Sequence, residues 1–358
     1  MMNRHTISIL LLTIVVLFLG WVESNTAEGV SQLTGGIITF STLVRIGLFT
    51  IIVVGLNLLM GFAGQASLGQ ASFYGIGAYV SAIFTTRGVA LGLPEGLVAQ
   101  WWWPWLLMVA GVVITGIFVY FVGQPILRLK GHYLAMATLG LGIMIIILFR
   151  ENFGIQPNTL NITGGFDGLP DVPRLRIGNF SLWPIERYYY LVWFFAILSI
   201  IIVQNIVNSR VGRALRAIHG SEIAAQAMGV DTAAFKLRVF MLSTMLASLA
   251  GSLFAHFQAA VSPRPFNFLA SLELLVMAAV GGASTVWGAL VGVSVILGIE
   301  ELLRSRLHLV LESAGSEVEP VVFGVILVAI MIFLPNGLAK AGQQLFTRKN
   351  ETDMEAAA

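Results

Sequence analysis

The chain predicts an all-α, polytopic membrane protein with about ten transmembrane helices. Three observations carry that expectation. Hydrophobic residues fill 57% of its 358 positions while charged residues fill only 11%, and the mean hydropathy is +0.87, well outside the soluble range. Apolar blocks recur at lengths close to the roughly 20 residues a helix needs to cross a bilayer. Those blocks do not alternate apolar with polar residues, and unpaired backbone cannot persist in lipid, so they read as helices and not as barrel strands.

In order, the blocks lie near 7–22, 36–60, 67–85, 104–123, 133–149, 188–207, 239–258, 267–283, 285–303 and 320–337. The first follows Arg4 as a signal peptide would, but no convincing small-x-small cleavage site follows it, so it reads as an uncleaved span. The run Val280-Gly-Gly-Ala-Ser-Thr285 breaks the eighth block from the ninth without a charge, so 267–303 can be two spans or one bent helix. Residues 1–337 thus form one transmembrane domain, and the polar tail 338–358 follows it.

Basic residues orient the chain with both termini in the cytoplasm. That topology places Arg4, Arg128, Lys130, Arg210, Arg213, Arg216, Lys236, Arg238, Lys340, Arg348 and Lys349 inside, at higher density than Arg87, Arg150, Arg174, Arg176, Arg187, Arg264, Arg304 and Arg306 outside. The external stretch 150–187 holds much of the contrary charge, and long loops weigh less in this rule. Its Pro157, Pro170, Pro173 and Pro184, with Gly154, Gly164, Gly165, Gly168 and Gly178, predict an ordered, turn-rich loop with one short helix. The Asn161-Ile-Thr163 sequon reads as chance in a chain of bacterial appearance.

The polar interruption 208–238 is the most informative segment. Ser221 suits an N-cap, Glu222 the first turn, and Gly229 the left-handed stop, which frames a short helix. Its Ile223, Ala224, Ala227 and Met228 make a small apolar face. Two turns of helix are not stable alone, so a partner or the membrane surface must support them. The same residues also fit an ordinary interfacial loop, with Arg210, Arg213 and Arg216 on lipid headgroups.

Small residues crowd 61–78, 131–142 and 281–292. Close helix packing accounts for most of these glycines. The sharper reading puts Asn57, Gln65, Ser67, Gln70 and Ser72 at broken helices that line a translocation path. Ionisable residues at membrane depth are Arg45, His256, Glu273, Glu300 and Glu301; Glu300 and Glu301 sit near Arg304 at a span end, Arg45 can shift toward an interface, and Glu273 is the one to test for substrate contact. No cysteine is present, the histidines have no metal-ligand spacing, and neither a GxxxxGK[ST] loop nor a strand-linked GxGxxG exists. The chain is therefore expected to bind no cofactor, metal or nucleic acid, and to catalyse no reaction itself.

Five runs, in order, resemble the permease subunits of branched-chain amino-acid ABC importers of the LivM type. They are Leu56–Phe73, Gly131–Gly140, Ile162–Leu169, Gly212–Ile218 continuing through Glu222–Val230, and Glu273–Met277 with Gly281 and Gly282. The resemblance implies a fold similar to the vitamin B12-type importer permeases, in the bacterial inner membrane. It implies pairing with a homologous LivH-like permease, with two ATP-binding subunits (LivG/LivF-like) that carry ATP and Mg²⁺, and with a periplasmic or lipid-anchored substrate-binding protein. The family's coupling helix maps onto Ser221, Glu222, Ile223, Ala224, Ala225, Met228 and Gly229, with Ile223 intruding between the glutamate and the alanines. Branched-chain or other hydrophobic amino acids are the implied cargo. Urea or short amides through the same architecture remain an alternative, as does a stand-alone channel or secondary transporter.

Overall fold

The structure, a computed structural model, describes residues 4–25, 39–129, 131–155 and 161–310, with a few positions between 324 and 339. The tenth block and the tail therefore lie almost wholly outside the described residues. Twelve α-helices follow in order among the described residues. They are α1 (Arg4–Asn25), α2 (Phe40–Asn57), α3 (Gln70–Thr86), α4 (Glu95–Val98), α5 (Trp103–Ile126), α6 (His132–Arg150), α7 (Ile185–Asn208), α8 (Arg210–Gly220), α9 (Glu222–Ala227), α10 (Thr232–Gln258), α11 (Phe268–Gly281) and α12 (Val286–Val310). Six helices among the described residues are long and apolar enough to cross a membrane: Phe40–Phe62, α5, α6, α7, α10 and the stretch Val286–Ser305.

Two expected spans are short. The block at 267–283 becomes α11, a helix of 14 residues, about 21 Å long at 1.5 Å per residue. That is less than the roughly 30 Å hydrocarbon core. It turns at Gly282, whose φ is +101°, and doubles back into α12. The two legs touch backbone to backbone, since a Cβ on Gly281 would sit 1.9 Å from the Gly288 carbonyl oxygen and one on Gly292 2.0 Å from that of Met277. The stretch 267–303 is thus a hairpin of a short and a long helix, and not one bent span. The block at 67–85 becomes α3, of 17 residues.

α3 is the centre of the bundle. It packs on α10 through a reciprocal glycine contact: a Cβ on Gly77 would meet the Ser248 carbonyl oxygen at 1.9 Å, and one on Gly251 the Tyr74 carbonyl oxygen at 1.8 Å. Lipid tails are as apolar as leucine, so such close van der Waals packing, and not solvent exclusion, holds these helices together. Ser252 adds a hydrogen bond to the Gly77 carbonyl at 2.9 Å. Around this seam Tyr74, Phe254 and Phe266 make an aromatic cluster, which Tyr79 extends to Phe149 by a stacked contact at 4.2 Å. α5 turns Leu107, Gly111, Thr115 and Val119 inward and leaves Leu106, Val109, Val113, Ile117 and Phe121 exposed. That exposed stripe suits lipid.

The polar interruption is shorter than its sequence limits. α7 runs to Asn208 and α10 begins at Thr232, and the residues between form a pair of helices instead of one. On the opposite side, the loop after α6 is turn-rich. It carries a 3₁₀ turn at Asn152–Gly154 and a two-stranded hairpin, β1 (Arg176–Ile177) against β2 (Phe180–Ser181).

Candidate functional site

The polar helix pair is built from caps outward. Ser209 Oγ accepts from the Val211 N–H at 3.1 Å and starts α8, which buries Gly212, Leu215 and Ile218 against the bundle. Ser221 Oγ accepts from the Ala224 N–H at 3.2 Å and starts α9. Gly229, at φ +81°, ends that helix, and the Val230 N–H closes back on the Ala225 carbonyl at 3.0 Å. Asp231 then caps α10 through the Ala234 N–H at 3.1 Å.

Two of the residues taken from the family pattern point inward. Ala225 is buried at 4% exposure. Glu222 pairs with Lys236 at 2.6 Å, and Gln226 donates to Thr232 at 2.8 Å. These contacts brace α9 on the first turns of α10. The opposite side is bare: Ile223 is 77% exposed and Met228 84%, with Ala224 and Ala227 exposed between them. The pair thus presents a small exposed apolar face on a helix that is braced from behind.

Behind the pair lies a broken helix. α2 passes into a π turn at Leu58–Phe62 and then loses helical form until α3 begins at Gln70. Single π turns of this kind cluster at functional positions. The irregular segment is pinned from three sides. Thr138 accepts from the Leu68 N–H at 3.1 Å, Ser271 from the Ala71 N–H at 3.1 Å, and Asn57 donates to the Thr285 carbonyl at 3.1 Å. Gln70 donates to both the carbonyl and the hydroxyl of Ser243 at 3.0 Å.

Several polar atoms here have no partner among the described residues. They are both amide atoms of Gln65, Ser67 Oγ, Gln70 Oε1 and Asn57 Oδ1, all buried. Each such atom costs about 1–3 kcal/mol when left unpaired, so their concentration in one segment is out of keeping with packing alone. Gln65 and Ser67 line one shallow crevice with Thr138 and Phe240. Ser72, buried on α3, faces Gly142. The polar helix pair reaches this segment directly, because the His219 ring at the end of α8 lies against the backbone of Gly64.

Glu273 is not part of that group. It sits on α11 beside Arg45 and Glu300, within electrostatic range of both. Arg45 reaches across to α12. Its guanidinium meets both carboxylate oxygens of Glu300 at 3.2 Å and approaches Glu301 at 4.0 Å. Arg304 adds a contact to Glu300 at 3.5 Å. Sequence reasoning missed the Arg45–Glu300 pair, since 255 positions separate the two. His256 is structural: its ring nitrogens meet Ser81 Oγ at 2.8 Å and the Pro173 carbonyl at 2.6 Å, which ties α3 and α10 to the loop between α6 and α7.

That loop is ordered by Asn152, whose side-chain oxygen accepts from the Ile162 N–H and from the Thr163 N–H and hydroxyl. Its surface carries cation–aromatic pairs. The Arg174 guanidinium lies 3.2 Å from the Trp183 ring centroid, and Phe166 is held between Arg150 at 5.1 Å and Arg264 at 4.9 Å.

A bundle of long apolar helices around a broken central one defines a polytopic membrane protein. The family model for the branched-chain amino acid transport system permease component matches residues 38–334, and the chain belongs to that family. It is 28% identical over 338 residues to the high-affinity branched-chain amino acid transport system permease protein LivM of Escherichia coli strain K12, covering 88% of this chain and 72% of that protein. It is 24% identical over 307 residues to LivH of the same organism, covering 81% and 90%. BraD of Pseudomonas aeruginosa is 22% identical over 320 residues, covering 86% and 94%. No solved structure matches the chain.

Proposed function

We propose that this chain is one of two permease subunits in an ATP-driven, binding-protein-dependent importer of branched-chain or other hydrophobic amino acids. The observation that carries the proposal is the bare apolar face of α9, held by Glu222–Lys236 on one side and joined through α8 to the broken helix on the other. A face of this kind serves a soluble partner that moves it. Ser221, Glu222, Ala225 and Gly229 build and brace the helix, while Ile223, Ala224 and Met228 make the contact.

The partners follow from the same reading. LivM- and LivH-like relatives in one system support a heterodimer of homologous permeases. Two ATPases bind Mg²⁺ and ATP, and their closure displaces α9. The displacement biases the permease between its two facing states only by the difference in partner contacts between those states. Asn57, Gln65, Ser67, Gln70, Ser72 and Glu273 line the route. Both termini face the cytoplasm, and a tenth span near 320–337 completes a fold similar to the vitamin B12-type permeases. The external loop, with its arginine–aromatic surface, receives the loaded binding protein.

The test is uptake by the reconstituted importer in liposomes, with the binding protein outside and ATP inside. Leucine, isoleucine and valine accumulate only when ATP and the binding protein are both present. Accumulation of urea or short amides in their place overturns the substrate, and uptake without ATP overturns the class.

A further inference from the structure

A groove of about 630 Å³ opens on the flank of the bundle, between α3, α5 and α6. One wall is Ile76, Val80 and Phe84 of α3, and the other is Ile114 of α5 with Met144 and Leu148 of α6. All six are apolar, and Ile114, Met144 and Leu148 are 42%, 51% and 40% exposed. α5 and α6 are both long and apolar enough to cross a membrane, so in a bilayer the groove between them faces lipid.

The wall on α3 ends in a charge. Ile76, Val80, Phe84 and Arg87 follow at steps of four, four and three residues, which places them on one helix face. Arg87 is half-buried, and its Nε is buried with no hydrogen-bond partner among the described residues. No acidic side chain among those residues forms an ion pair with it. A charge withdrawn from water is ordinarily paired, so this one calls for an anion from outside the chain.

Trp103 sets the depth of that charge. Its indole N–H donates to the Phe84 carbonyl at 3.1 Å, and the adjoining Trp101 and Trp102 are 41% and 38% exposed. Exposed tryptophans at a span end mark the headgroup level of a bilayer. Arg87, just beyond Phe84, stands at that level. From Arg87 back to Ile76 the helix is about 16 Å long, against about 15 Å for half of the hydrocarbon core. Along α3 the groove is therefore one leaflet deep, whereas a partner helix would run on across the span.

We propose that this groove holds an acyl chain of an anionic phospholipid, whose phosphate pairs with Arg87. Seated there, the lipid joins α6 to α3 and α5. The proposal goes beyond the importer reading and does not depend on which solute is carried.

The full-length chain, delipidated in detergent, is titrated with phosphatidylglycerol or phosphatidylcholine of identical acyl chains, and bound lipids are counted by native mass spectrometry. One phosphatidylglycerol binds about fivefold more tightly than phosphatidylcholine, the factor that one basic residue at a headgroup provides. Arg87→Gln removes the preference, and Arg87→Lys keeps it. Phosphatidylglycerol with a diazirine at mid-chain labels the groove walls on α3 and α6, and Met144→Trp, which adds bulk at the mouth, lowers that labelling. Equal binding of both lipids by the wild type overturns the site, as does labelling confined to the exposed stripe of α5 from Leu106 to Phe121. Loss of groove labelling when a second permease is added shows a protein occupant and overturns it likewise.

Discussion

The His219 ring lies against the backbone of Gly64, where an added Cβ would stand 3.4 Å from both Cγ and Nδ1 of the imidazole. One residue belongs to α8, the helix that precedes α9. The other begins the irregular stretch between α2 and α3, at φ +66°. On the coupling scheme proposed above, this contact is one place where motion of α8 would reach the broken helix. Gly64→Val adds bulk there and forces a β-branched residue into the left-handed region, at a cost of about 1–2 kcal/mol. The variant should keep basal ATP hydrolysis by the assembled complex but lose its stimulation by loaded binding protein, measured as phosphate release in liposomes.

Glu222 and Lys236 test the bracing of α9. With side-chain exposures of 26% and 12%, the pair lies between surface ion pairs worth under about 1 kcal/mol and buried ones whose disruption costs about 3–5. Lys236→Met should therefore cost about 1–2 kcal/mol locally and raise amide exchange across Glu222–Ala227, with little change in the membrane helices. Exchanging the charges, Glu222→Lys with Lys236→Glu, should restore most of the protection.

Gly77 and Gly251 test the central seam. Each faces a carbonyl of the opposing helix at a distance no Cβ can occupy. Gly251→Leu should force α3 and α10 apart, and overpacking of this kind costs about 1–3 kcal/mol or more. The measurable outcome is a collapse in monodisperse yield from detergent, while Gly298→Leu, which meets nothing within 4 Å, should leave it unchanged.

Ser67 separates packing from transport. Its hydroxyl has no partner among the described residues, so Ser67→Ala should leave thermal stability unchanged or raise it by about 1 kcal/mol. Uptake should nevertheless fall several-fold if Ser67 lines the route as proposed, because that route loses a polar group. Sites that serve function at the expense of stability behave in this way.

Much of this was legible in the sequence where the signal is local. Long apolar runs gave the helices of full length, and Ser221 and Gly229 framed α9 because capping chemistry needs only a few neighbouring residues. Facing was not legible. The Glu-Ile-Ala-Ala pattern does not say that Glu222 and Ala225 turn inward while Ile223 turns out. α8 was hidden because Arg210, Arg213 and Arg216 make its stretch read as a charged loop, although Leu215 and Ile218 bury one side. The α11–α12 hairpin was ambiguous because Gly281 and Gly282 permit a bend or a reversal equally. Arg45 and Glu300 meet only through tertiary packing, which no periodicity reports.

The exposed face of α9 carries the whole of the proposed coupling scheme, and its direct test is retention of the proposed ATPase subunits. Ile223→Arg with Met228→Arg places two charges on that face without touching a buried atom, since both side chains are among the most exposed apolar groups of the described residues. Purified through a tag on this chain, the wild-type complex should retain both ATP-binding subunits, and the double variant should lose them while its own elution profile and melting temperature stay unchanged. Undiminished ATPase recovery together with wild-type leucine uptake in the double variant would contradict the scheme.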